Sequence, residues 1–131
     1  MSRTLLMHNP MNLEKDNQPW EGLAPIQDDS TFLAFIDDLH GIRAGVKVFQ
    51  SYQRRGLNSA DYAINEFAPS EENPTQTYIE NMCKWCNITS DQDLDFHDPK
   101  FMLSWVKGII RQEQGVQPFS DDLISAAIAA A

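Results

Sequence analysis

The stretch Asp98-Pro99-Lys100-Phe101-Met102-Leu103-Ser104-Trp105-Val106-Lys107-Gly108-Ile109-Ile110-Arg111-Gln112-Glu113-Gln114-Gly115 decides the fold. Phe101, Met102, Trp105, Val106, Ile109 and Ile110 recur at steps of three and four, which places them on one face of an α-helix. Asp98 supplies a side-chain oxygen for the free amides of the first turn. Pro99 is tolerated there because its missing N–H has no partner to lose. Gly115 marks the stop, since it adopts the left-handed turn that ends many helices. A helix with one wide apolar face must bury that face, so the rest of the chain has to supply its partners.

On the N-terminal side, Leu39, Ile42, Val46, Phe49 and Tyr52 form a second helical stripe that opens at Asp37 or Asp38 and closes at Gly56. Arg54 and Arg55 at its end complement the helix dipole. A shorter helix with Ile64 and Phe67 starts near Asn58 or Ser59 and is stopped by Ala68-Pro69-Ser70. Asn73 is the expected cap of the next, with Pro74 at its first position and Tyr78, Ile79, Met82, Trp85 and Cys86 on one face. On the C-terminal side, Ser120 with Asp121 and Asp122 opens a last helix carrying Leu123, Ile124 and Ile128. The sum is about five helices over residues 37–130. Residues 1–30 read as an irregular segment docked through Leu5, Leu6, Trp20, Leu23 and Ile26. Phe32-Leu33-Ala34-Phe35-Ile36 suits either a strand or a first helical turn, leaving room for at most a minor β-hairpin. The expectation is a mainly α fold, one domain spanning 1–131.

Composition narrows the functions. A chain of 131 residues is long enough to bury a core without staples. Its net charge of −9 argues against nucleic acid as partner, because that affinity comes mainly from Lys and Arg neutralising phosphates. It equally disfavours adsorption to anionic lipid. No stretch approaches the roughly 20 apolar residues of a membrane span, and residues 1–12 lack the order of a signal peptide. Soluble synthesis in the cytoplasm is expected, with any action outside that compartment left to other machinery that carries or releases the chain. Cys83-Lys84-Trp85-Cys86 is a lone CxxC near a helix end rather than at a helix start, where the dipole would activate a thiol. His8, His40 and His97 have no metal-ligand spacing, so neither metal nor cofactor is expected. No Gly-rich phosphate loop, His-Glu-x-x-His or nucleophile turn occurs.

Four local features carry a resemblance. His8-Asn9-Pro10-Met11-Asn12-Leu13 is similar to the Asn-Asn-Pro-Gly-Asn-Ile opening of a family of small phage and prophage proteins, with Met11 in place of glycine. Phe32 and Phe35, followed by Gly41-Ile42-Arg43-Ala44 and Tyr52, resemble its second signature. Phe67-Ala68-Pro69, Glu72-Asn73, Thr75 and Tyr78-Ile79 resemble its third, with Phe67 in place of tryptophan. Glu113-Gln114-Gly115 and Pro118-Phe119-Ser120-Asp121 resemble its closing elements. The features keep their order across nearly the whole chain.

The resemblance implies a virion or structural phage protein, made in the cytoplasm of a bacterial host, with other virion proteins as partners. The expectation inferred beyond it is a virion-associated or lysis-phase protein that is released to the periplasm or cell wall and binds and cleaves the glycan strands of peptidoglycan. Residues 110–118 also look like the stretch around the single catalytic glutamate of lysozyme-like transglycosylases, which implies a lysozyme-like fold and Glu113 as general acid. A glutamate at a helix C-terminus beside Ile109 and Phe119 would hold its proton more tightly, as a general acid must. The competing reading is a solvated glutamate at a helix end. Glu72 is the second candidate carboxylate, against a reading as part of a helix-start cluster. Asn9, Asn12, Asn73, Thr75 and Tyr78 are polar groups of the kind that line sugar clefts. Arg43 joins them as a substrate-binding candidate, and a bridge from it to Glu72 or Glu113 would lower that acid's pKa and weaken its claim to be the proton donor. A non-catalytic virion structural protein is the alternative, and an acidic inhibitor that binds a basic partner is a third.

Overall fold

The computed structural model describes residues 2–69 and 74–131. Among them lie six α-helices and no strand: α1 Arg3–Leu6, α2 Asp38–Arg54, α3 Ala60–Phe67, α4 Thr75–Cys86, α5 Pro99–Gln114 and α6 Asp121–Ala130. The fold is mainly helical, as expected, with the short α1 added.

Local chemistry explains most of the boundaries. Asp37, Ser59, Asp98 and Ser120 accept hydrogen bonds from the backbone amides of His40, Tyr62, Lys100 and Leu123, each satisfying a first-turn donor that would otherwise lack a partner. Asn87 and Gly115 close α4 and α5 in the left-handed region, with φ of 54° and 77°. The start of α4 differs from expectation. Pro74 occupies the cap position rather than the first turn and makes no side-chain cap bond, and Asn73 lies outside the described residues.

The apolar face of α5 buries Met102, Trp105, Val106, Ile109 and Ile110 completely. Helices α4 and α6 pack on α5, α2 packs on α6 and touches α5, and α3 packs on α4. Phe49 of α2 meets the ring of Trp105 edge-on at 5.5 Å and that of Phe67 at 4.8 Å, joining α2, α3 and α5 through one aromatic cluster.

Residues 7–36 wrap around this frame. Instead of a hairpin they form two isolated antiparallel bridges, Glu14 with Phe32 and Leu23 with Phe35. Asn9 is wholly buried and staples the segment. Its amide donates to the carbonyls of Leu13 and Leu33 at 2.9 and 2.8 Å, and its oxygen accepts from the Leu13 amide. The segment docks on α2 where the Gly-Ile-Arg-Ala signature lies. At Gly41 a Cβ would stand 1.8 Å from the His8 carbonyl oxygen, and at Gly45 it would meet the Met11 side chain. Met11 fills the space beside Gly45 and is fully buried. Left-handed backbone falls at His8 and Asn12, with φ of 55° and 56°, and not at Met11.

Candidate functional site

The seam between the wrapped segment and the helices opens into a cleft of about 550 Å³. Its walls are Asn12, Glu14, Asp16 and Trp20 on one side and Tyr52, Glu66 and Phe67 on the other, with Glu113 also in the lining. Glu113 reaches it because it is the last residue but one of α5, in line with the buried Val106 and Ile109, where Gly115 turns the chain away.

Both oxygens of the Glu113 carboxylate are held. Oε1 accepts from the Asn12 amide at 2.8 Å, and Oε2 accepts from the Tyr78 hydroxyl at 2.8 Å. Burial raises the pKa of Glu113 above the ordinary glutamate value, and the bonds from Asn12 and Tyr78, which favour the charged form, offset only part of that. Tyr78 itself is driven well above the usual phenol range, first by burial and then by the neighbouring Glu113 charge and bond. It therefore stays neutral and able to donate.

Gln114 fixes the Asn12 amide from behind. Its Nε2 donates to Asn12 Oδ1 at 3.2 Å and to Thr4 Oγ1 and the Pro10 carbonyl at 3.0 Å each, while its Oε1 accepts from the Ser2 hydroxyl. With Asn12 Oδ1 turned to Gln114, the Asn12 N–H must face Glu113. Elsewhere on the rim, the Trp20 indole N–H donates to both Asp16 oxygens at 3.1 and 3.2 Å. Glu66 is ion-paired with Arg55 at 2.8 Å. The Tyr52 hydroxyl is pushed up to about 12, by burial and then by the Glu66 charge.

The residues named from sequence separate into groups. Asn12 and Tyr78 converge on Glu113. Asn9 does not reach the cleft: with no exposed surface and its amide spent on backbone, it holds the wrapped segment together. Thr75 is buried and donates to the Ala68 carbonyl at 2.6 Å, tying α4 to the end of α3. Arg43 does not pair with Glu113. Its Nε donates to the Ala130 carbonyl at 2.9 Å and lies 3.4 Å from Glu21, because its position on α2 turns it toward the end of α6. Glu72 and Asn73 lie outside the described residues. Sequence reading gave no site role to Asp16, Trp20, Glu66 or Gln114. The one signal was Trp20, a lone large ring in a polar stretch.

No family model matches the chain. Over 127 residues, 94% of its length, the chain is 32% identical to Protein P5 of Pseudoalteromonas phage PM2, and the match covers 78% of that protein. The chain belongs to the Protein P5 family. The phage part of the resemblance thus rests on a relative matched across nearly the whole chain, and the match takes in the segments that build the cleft.

The remaining chemistry-bearing groups are quiet. Cys83 and Cys86 are unpaired, and burial pushes the Cys86 thiol up to about 11, far from a reactive thiolate. Among the described residues no group of three or more His, Cys, Asp or Glu is placed to hold a metal ion. No helix there is long and apolar enough to cross a membrane.

Proposed function

We propose that this member of the Protein P5 family is a component of a phage particle whose cleft binds a saccharide chain, with Glu113 as general acid for cleaving a glycosidic bond. One observation carries the catalytic part: a cleft-lining glutamate whose proton is held tightly by burial and whose two oxygens are fixed by Asn12 and Tyr78. Each of those bonds uses one lone pair. The other position on either oxygen can carry the proton toward a glycosidic oxygen in the cleft. Peptidoglycan is the glycan a phage meets at the cell wall.

A lytic transglycosylase needs only this one acid/base, whereas a hydrolase also needs a carboxylate to activate water or attack the sugar. Asp16 suits the second role among the described residues, because it lines the same cleft and the Trp20 N–H holds both of its oxygens in place. Glu66 suits it less, being committed to Arg55. Glu72, the second carboxylate proposed from sequence, lies outside the described residues.

A non-catalytic structural component of the virion is the second reading. Kinship with a phage protein supports it directly and carries no glycan chemistry. On this reading the Glu113–Asn12–Gln114 network is a stitch between the N-terminal segment and α5. Turnover of purified sacculi by wild type and Glu113→Gln decides between them. Release of muropeptides by wild type and a loss of at least about 100-fold in a folded Glu113→Gln variant is the outcome expected of an enzyme. Anhydro ends would mark a transglycosylase and reducing ends a hydrolase. No release by folded wild type would leave the structural reading.

A further inference from the structure

The cleft has a charge of one sign. Glu14, Asp16, Glu66 and Glu113 line it, and no Lys, Arg or His does so among the described residues. The cations nearby are already engaged. Arg55 is bound at the rim to the cleft residue Glu66 at 2.8 Å and lies over the Tyr52 ring, Arg3 is paired with Asp29 at 2.8 Å and lies over the Phe32 ring, and Lys15 donates to the Gln27 carbonyl at 2.9 Å. The Arg55 pair offsets Glu66, which leaves Glu14 and Asp16 as uncompensated charges on the wall that Trp20 shares.

We infer that the saccharide chain admitted here carries no carboxylate on its cleft-facing side: the substrate class is a neutral or amine-bearing glycan, and not a polyuronate. This rests on the reading that the cleft holds a glycan. The aromatic walls at Trp20, Tyr52 and Phe67 accept the apolar face of any pyranose ring and so do not discriminate by charge. The carboxylates do. Glu14 and Asp16 are exposed, so a ligand carboxylate placed roughly 6 Å from either loses about threefold in affinity per facing pair at a dielectric of about 80 and about tenfold at about 40, and an ammonium gains by a similar factor. Both effects shrink as salt screens them.

The test uses the full chain with Glu113→Gln as background, so that ligands are bound and not consumed. Three oligosaccharides of equal length are titrated at low and at physiological salt: an N-acetylglucosamine oligomer, its de-N-acetylated counterpart and an oligogalacturonate. The expected order is amine-bearing, then neutral, then uronate. The uronate should bind at least about tenfold more weakly than the neutral chain at low salt, with the gap narrowing as salt rises. Adding Glu14→Gln with Asp16→Asn should close most of the gap. A control pair on exposed surface outside the cleft, Asp93→Asn with Asp122→Asn, removes the same charge and should leave it open. Uronate binding equal to neutral binding overturns the inference, as does a gap that closes equally in the control pair, which would make it an effect of net charge. If no oligosaccharide of any charge binds, the glycan reading has failed and the inference falls with it.

Discussion

At the scale of single residues, Glu113 couples stability to function. Its pKa in the fold lies above the ordinary glutamate value, so the folded state binds that proton more tightly than the unfolded chain does. Its contribution to stability is therefore best at acidic pH. It falls as pH rises from the unfolded value through the folded one, and is constant above both. Glu113→Gln removes that penalty while keeping a side chain able to accept from Asn12 and face Tyr78. The variant should melt roughly 3 °C above wild type at pH 7, and the difference should vanish as pH drops below the ordinary carboxylate range, as followed by thermal denaturation. Gln114 acts on the same proton at one remove. While it holds Asn12 Oδ1, that oxygen cannot turn to accept from protonated Glu113. Gln114→Ala should raise the Glu113 pKa further, read by carboxyl carbon NMR titration. It should also cost about 1–2 kcal/mol from the lost bonds to Thr4 and Pro10. An unchanged titration with reduced stability would make Gln114 a structural stitch only.

At the scale of elements, legibility follows sequence distance. Helices α2, α3, α5 and α6 can be read because each start depends on a capping side chain two or three residues from the amide it satisfies. The four residues of α1 are too few to be stable alone, and what holds them is remote: Ser2 and Thr4 meet Gln114. That Arg43 meets the Ala130 carbonyl and Glu21 and not Glu113 is hidden for the same reason, since periodicity places a residue on a helix face without saying which element covers that face. The glycines of α2 sharpen the point. Gly41 lies against backbone and Gly45 against the flexible end of Met11. Gly41→Ala should therefore cost more than about 3 kcal/mol and Gly45→Ala about 1–2 kcal/mol in urea denaturation, although both are ordinary Gly→Ala changes in the sequence of a helix.

At the scale of the whole molecule, the cleft belongs to no single element. Glu113 could be proposed from sequence because its chemistry depends on a nearby helix end. Its neighbours could not be chosen, because Asn12 is 101 residues away and Tyr78 is 35. Nothing in the residues 1–30 alone separates Asn9, which points inward, from Asn12, which reaches the acid. Their difference is created when the segment folds back on α2. The integrity of the site should then depend on Asn9, which never touches it. Asn9→Ala would leave the Leu13 amide and the Leu33 carbonyl without their side-chain partner in a buried setting, and the Leu13 carbonyl with the Leu33 amide alone, a loss of about 3 kcal/mol. Hydrogen exchange should show where that loss falls. Amides of residues 12–36 should lose protection by 10- to 100-fold while those of α5 and α6 keep theirs, because the helices retain their own apolar contacts. Water would then reach Glu113 and its pKa would return toward the ordinary glutamate value. Equal loss of protection in α5 would instead mean that segment and helices unfold as one unit, and that the cleft wall is as firmly held as the core behind it.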